Sequence, residues 1–267
     1  MNQLHTIVDD TKKHLESKIN QVSLAEMKAR ALDCDPQRNM ISQAIKDANR
    51  MGHLGVIAEF KRASPSAGVF NPIPQLKNQV QVYQDAGAHA LSILTNQTYF
   101  GGSIHDIYQA KQFSSLPILR KDFIVSQWQV YESRLIGVSS ILLIAEILST
   151  AELIEYHELA ESIGLEALVE VHSLEDTNYI TRAMKFIGIN NRNLKTMKTD
   201  LGQTMLIKKQ IHHDCVVISE SGIRERGDAE FVSKQGVHGM LIGESLLRES
   251  NPAGKLALFA TTPFALE

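Results

Sequence analysis

Cysteine is nearly absent. Cys34 and Cys215 are the only two in 267 residues and no CxxC pair occurs, so neither a disulfide framework nor a thiolate zinc site is signalled. A reducing cytoplasm fits that usage. Long apolar runs are missing too: the greasiest stretch, Ile141 to Ala145 with its flanks, falls far short of the roughly 20 residues that span a bilayer. The opening MNQLHTIVDDTKKHLESK lacks the apolar core of about 7 to 15 residues that a signal peptide carries, which argues against export. There is no dense Lys/Arg block, and the formal net charge is -3. That argues against nucleic acid and anionic membrane as main partners and favours a small molecule. The ten histidines include no HExxH or comparable spacing, which argues against a metal site.

What is present is a repeated alternation. Eight β-rich runs recur: VIAEF at 56, ALSILT at 90, LPILRKDF at 116, SILLIA at 140, ALVEV at 167, FIGIN at 186, CVVISES at 215 and GMLIG at 239. Their spacing leaves room for one crossover helix each, as parallel strands require. Ser149 with Glu152 predicts a capping box opening TAELIEYHELAES, with Gly164 as its stop, and Ser126 and Gly137 bracket QWQVYESRLI. Eight βα units without a break in composition predict a single (β/α)8 barrel, a TIM barrel, over residues 1–267. An open doubly wound sheet is the alternative, disfavoured because no GxGxxG follows the first strand and the polar residues gather at the C-terminal strand ends. Residues 1 to about 50 read as a helical extension, with Leu4, Ile7, Val8, Leu15 and Ile19 at helical spacing, then Leu24, Met27 and Ala31 after Ser23.

The stretch VIAEFKRASPSAG poses the functional question. Strand alternation puts Ile57, Glu59 and Lys61 on one face, so a carboxylate and an ammonium point inward together. Lys121 and Phe123 share a face of the third run, with Arg120 and Asp122 on the other; Leu168 and Glu170 share a face of the fifth. Asn190 and Arg192 share a face in FIGINNRN, and Glu220 and Gly222 in VISESGI. Any one such pair is equally well a structural salt bridge plugging the barrel end. Two lysines and two carboxylates converging on one mouth fit chemistry better, because charges removed from water without a function are costly. Gly222 and Gly243 stand in the seventh and eighth loops, where barrels often place a phosphate. Glu244 cuts against that unless it points away. His172, after the fifth run, is a candidate to line the mouth, whereas Trp128 reads as packing.

The runs IAEFKRASPSAG, LSILTNQTYFGGS, LPILRKDFIVSQWQVYESRLIG, LVEVHSLED, IGINNRNLKT, VISESGI and LIGESLLR resemble, in order and spacing, those of the indole-3-glycerol-phosphate synthase family of tryptophan biosynthesis. The resemblance covers about residues 4 to 255. It implies a cytoplasmic carbon–carbon lyase, a carboxy-lyase, that converts 1-(2-carboxyphenylamino)-1-deoxyribulose 5-phosphate into indole-3-glycerol phosphate, carbon dioxide and water. No metal or organic cofactor is implied, and the expected state is a monomer or weak homodimer. By resemblance Glu59, Lys61, Lys121, Glu170, Asn190 and Ser221 surround the reacting atoms, with Arg192 and Glu220 close by. Phe100, Phe123, Leu142, Ile144 and Leu194 match positions that wall the aromatic ring. Ser64, Gly222 and Gly243 match the phosphate side, and Leu241 joins the substrate-binding set. The loop Ser64 to Gly68 is expected to fold over the mouth, and the N-terminal extension to lie across it, dispensable to barrel closure up to about residue 45.

Two departures stand out. Asn96 occupies a position that is more often acidic in the family, and TRAMKF replaces the usual Gly-Ala corner before FIGINN, which predicts a tighter turn into the sixth strand. The related barrel phosphoribosylanthranilate isomerase needs a cysteine and an aspartate at strand ends, and neither cysteine is placed there. A catalytically dead phosphate binder would be expected to lack Lys121 or Glu170, and both are present.

Overall fold

The computed structural model describes residues 3–35, 39–70, 72–193 and 196–265. Eight parallel strands close into a barrel: β1 (Gly55–Phe60), β2 (Ala90–Leu94), β3 (Ile118–Lys121), β4 (Ser140–Ile144), β5 (Glu166–Val171), β6 (Phe186–Asn190), β7 (Val216–Glu220) and β8 (Gly239–Ile242). Each lies beside its sequence neighbours, and β8 pairs with β1 to complete the ring. The eight runs read from the sequence are these strands. They are buried almost throughout because side chains fill the barrel inside and helices cover it outside.

The N-terminal residues form α1 (Gln3–Gln21), α2 (Leu24–Leu32) and α3 (Ile41–Arg50). Crossover helices follow as α4 (Leu76–Asp85), α5 (Ile104–Phe113), α6 (Gln127–Ile136), α7 (Thr150–Ser162), α8 (Gly202–Lys208) and α9 (Arg226–Ser233), and α10 (Pro252–Ala260) follows β8. The predicted caps are in place: Ser126 accepts from Trp128 N, Gly137 ends α6 in a left-handed conformation, and Ser149 and Glu152 form the capping box of α7. The crossover between β5 and β6 differs from expectation, carrying a 3-10 turn over Glu175–Tyr179 instead of an α-helix. His172 N and Ser173 N both donate to Asp176 Oδ2, and Asp176 N donates to Ser173 Oγ. Such local bonds compete with a regular helix. A turn at Arg182–Ala183 then leads into β6 over the buried Met184.

The extension divides between the two ends of the barrel, so the expectation that it lies across the mouth holds for α1 alone. Gln3, Leu4 and Ile7 reach the mouth. α3 instead packs at the opposite end: Ile41 and Ile45 are fully buried, and a Cβ at Gly55 or Gly239 would lie 2.4 Å or 3.3 Å from Ile45 Cδ1. Glycine at the start of β1 and β8 thus makes room for this plug. Glu166, at the start of β5, accepts from Ser42 N at 3.1 Å, a carboxylate set at the positive end of α3. Ile41 and Ile45 therefore belong to the core of the barrel's closed end. No helix among the described residues is long and apolar enough to cross a membrane.

Candidate active site

Register and pleat bring the inward charges together. Ile144 lies beside Glu170 and Asn190 beside Glu220 at the C-terminal ends of their strand pairs. Lys121, at the end of β3, reaches across the barrel: its Nζ is 2.5 Å from Glu170 Oε2 and 3.0 Å from Glu220 Oε2. Glu170 Oε1 accepts from Asn190 Nδ2 at 3.2 Å, whose Oδ1 in turn accepts from Arg192 N at 3.0 Å. Lys61 Nζ donates to Glu59 Oε1 at 2.6 Å. Five ionisable side chains, two lysines and three carboxyl groups, thus share one barrel end.

Burial works against the charged form of Lys121, but the surrounding carboxylates of Glu170, Glu220 and Glu59 outweigh it and hold the ammonium form above its ordinary range. The carboxylates divide unequally. Burial works against an ionised Glu170, yet Lys121 and His172 hold it well below the usual carboxylate range. Glu220 is pushed up to about 8, by burial and by the neighbouring Glu170 charge. Its Oε1 is buried without a hydrogen-bond partner among the described residues, and a Cβ at Gly188 would come within 2.2 Å of that oxygen. Gly188 makes the room in which Glu220 sits.

Above these groups opens a cavity of about 540 Å³. Its apolar wall contains Phe100, Phe123, Leu142 and Ile144, with the Phe100 and Phe123 ring centroids 6.2 Å apart. Ser64 and Leu241 line it, as do Arg192, Ser221, Gly222 and Gly243. Every site residue matched through the family resemblance therefore meets at this mouth except Leu194, which lies outside the described residues. Ser64 Oγ accepts from Ala67 N at 3.1 Å, within a small hairpin pairing Ala63–Ser64 with Gly68–Val69. Pro65 and Ser66, between those arms, also line the cavity. Asn96 caps the short helix Gln97–Phe100 by accepting from Tyr99 N, so amide replaces acid there without loss of the cap.

Some placements were not foreseen. Gly243 has no left-handed requirement; a Cβ there would lie 2.6 Å from Glu59 Oε1, so the glycine leaves space for a carboxylate. Glu244 is paired with Arg248 at 2.9 Å and lies 3.8 Å from Arg192. His172 stands behind the mouth instead of lining it, with Nε2 2.9 Å from Glu170 Oε1 but out of line for a hydrogen bond. Arg224, Arg248 and Lys255 line the side formed by the loops after β7 and β8. They lie beyond the strand ends, where sequence periodicity gives no inward signal.

Solved structures with the same fold include the tryptophan synthase alpha chain from Legionella pneumophila subsp. pneumophila, with TM-score 0.61 and 14% identity, covering 84% of this chain and 96% of that one. That likeness speaks to fold alone. The family model described as indole-3-glycerol phosphate synthase matches residues 4–258. The indole-3-glycerol phosphate synthase of Desulforamulus reducens is 38% identical over 255 residues, covering 95% of each chain. That of Carboxydothermus hydrogenoformans is 39% identical over 257 residues, covering 95% of this chain and 97% of its own. The chain belongs to the indole-3-glycerol phosphate synthase family, whose members are carboxy-lyases of tryptophan biosynthesis.

Proposed function

We propose that this mouth carries out the ring closure, decarboxylation and dehydration of 1-(2-carboxyphenylamino)-1-deoxyribulose 5-phosphate with Lys121 and Glu170 at the reacting atoms. The observation that carries the reading is a charged Lys121–Glu170 pair on the floor of a cavity with an apolar wall on one side and basic groups on the other. An aromatic ring fits the wall of Phe100, Phe123, Leu142 and Ile144. A phosphate fits the opposite side, between Gly222 and Gly243 and near Arg224, Arg248 and Lys255.

Ring closure requires the ketone carbon to be electrophilic. Lys121 donates a proton to the ketone oxygen as the ring carbon bearing the carboxylate attacks, forming the carbon–carbon bond and a hydroxyl. Carbon dioxide then leaves, and its bonding electrons restore the aromatic ring. In the last step the hydroxyl departs as water with a proton from a lysine, while Glu170 accepts the proton released as the five-membered ring becomes unsaturated. Lys61, paired with Glu59, steers the substrate carboxylate, protonates the departing hydroxyl, or does both. Asn190 fixes Glu170 through its Oε1, and Glu220 shares Lys121. The same reading puts the reaction in the cytoplasm, without metal or organic cofactor, in a monomer or weak homodimer.

The test is incubation with the carboxyphenylamino-deoxyribulose phosphate while following indole fluorescence and carbon dioxide release. Stoichiometric appearance of both supports the reading. A folded protein that binds the substrate and releases neither overturns it.

A further inference from the structure

Ser221 is a non-glycine residue with positive φ, 66°, followed at once by Gly222 at 85°. Gly222 suits that region; Ser221 does not, because its Cβ crowds the backbone there. Such a conformation persists only where its surroundings over-determine it. Both residues line the cavity on its basic side.

The restraint comes from Asn191, the residue after Asn190. Asn190 turns into the barrel, and Asn191 turns out of it, where it is buried. Its Nδ2 donates to Glu220 O at 2.9 Å, to Ser221 O at 3.1 Å and to Ser219 Oγ at 2.9 Å. Its Oδ1 accepts from Thr204 N at 3.1 Å and Thr204 Oγ1 at 2.7 Å. The orientation of the amide is dictated by these partners: a backbone N–H only donates and carbonyl oxygens only accept, so Oδ1 must face α8 and Nδ2 must face β7. One side chain thereby grips the carbonyls on both sides of the Glu220–Ser221 junction. From the cavity side, Thr199 holds the next residue, since a Cβ at Gly222 would lie 2.5 Å from Thr199 Cγ2.

We propose that Asn191 is a positioning residue for phosphate binding: it holds Ser221 left-handed, so that the successive backbone N–H groups of Ser221 and Gly222 face the substrate phosphate. Successive backbone N–H groups in a turn form an anion-binding concavity. The inference rests on the reading of the mouth given above. Without the amide, Ser221 relaxes toward negative φ and turns those donors away. Glu220 O keeps its bond from Asn191 N at 2.9 Å, so the carboxylate beside Lys121 is disturbed less than the phosphate side.

The test is a double-mutant cycle between Asn191→Ala and Ser221→Gly, because glycine adopts positive φ without the restraint. With Ser221 in place, Asn191→Ala is expected to raise KM for the carboxyphenylamino-deoxyribulose phosphate, and the inhibition constant of inorganic phosphate, by about 10- to 100-fold. The value of kcat stays within about threefold. On the Ser221→Gly background the same substitution is expected to raise KM at least about tenfold less. Asn191→Asp, which keeps the shape and the acceptor but removes the donor, serves for the same cycle if the alanine variant fails to fold. Equal effects on both backgrounds, or a lowered Tm with KM and phosphate inhibition unchanged, overturn the inference. Absence of product from the wild-type enzyme overturns the reading of the reaction instead, and the cycle is then read on phosphate binding by calorimetry.

Discussion

Arg120 and Lys121 are adjacent on β3, and both are cations withdrawn from water, yet they face opposite sides of the barrel wall and enter different clusters. Arg120 points outward and donates to Asp122 Oδ2 at 3.1 Å, Glu132 Oε2 at 2.8 Å, Ser133 Oγ at 2.9 Å and Gln129 O at 3.3 Å. Lys18 completes that cluster by reaching Glu132 at 3.1 Å. Two cations face two carboxylates, and a planar fork satisfied on several edges holds β3 to α6. Lys121 points inward, where Glu220, pushed up to about 8, keeps its proton beside the ionised Glu170, the Oε1 of Glu220 has no hydrogen-bond partner among the described residues, and a cavity opens above. A closed network with every partner in place fixes structure; a lysine between carboxylates of opposed protonation, beside open space, is poised for a ligand.

The sharpest way to break the comparison is to replace each cation by methionine. Lys121→Met is expected to lower turnover by about a hundred- to ten-thousand-fold, the usual contribution of a positioned acid, while the protein stays folded and still binds a substrate analogue. Steady-state kinetics and analogue titration check this, and turnover within threefold of wild type would remove Lys121 from the chemistry. Arg120→Met is expected to act on stability instead, by about 3–5 kcal/mol, because Asp122 and Glu132 would be left buried without their partner. Urea denaturation measures it. The surviving folded fraction is expected to turn over substrate at near the wild-type rate.

A smaller effect separates the clusters by pH. Glu220 sits at about 8 in the folded protein against 4.5 ordinarily, so the folded state holds the extra proton between those values. Its contribution to stability is therefore fully present below about 4.5 and is lost as pH rises through about 8, with a slope approaching about 1.4 kcal/mol per pH unit for one proton. Glu170 has the opposite sign: its depressed value contributes stability above its ordinary range and loses it as pH falls. Glu220→Gln is expected to flatten the decline between pH 5 and 9, as read by urea midpoints at several pH values. An unchanged decline in that variant would place the titrating group elsewhere.

How the sequence anticipated these clusters follows from which forces are local. Pleat alternation alone separates Arg120 from Lys121 and aims Glu59, Lys61, Glu170 and Asn190 inward, because period two is a property of the strand itself. The caps at Ser126 and Ser149 are equally local. Partners across the barrel are not: nothing in FIGIN announces that Gly188 seats Glu220, or that Gly243 leaves room for Glu59, since each depends on register with another strand. Reading residues 1 to about 50 as a helical extension did not single out Ile41 and Ile45, because their partners lie at the closed end of the barrel, far away in sequence. The 3-10 crossover was hidden because Asp176 captures two backbone N–H groups through its side chain, a competition that helix periodicity does not register.

The smallest expected effect falls on the cation that links α1 to the outer cluster. Lys18 is 31% exposed, so its attraction to Glu132 is partly screened by water, unlike that of Arg120 at 2%. Its ammonium also lies 5.6 Å from the centre of the Trp128 ring, whose Nε1 donates to Val22 O. Lys18→Met keeps the stem that covers this ring and removes only the charge, so about 0.5–1 kcal/mol is expected to be lost. KM and kcat should not move, because the mouth end of α1 is seated by Leu4 and Ile7 rather than by Lys18. Thermal denaturation and steady-state kinetics on the one variant test both halves. A loss as large as that of Arg120→Met would mean that charge balance, and not the fitted guanidinium, holds the outer cluster. A raised KM with little loss of stability would instead mean that α1 pivots about Lys18, and that the two clusters, separated by the barrel wall, are coupled through the helix that touches both.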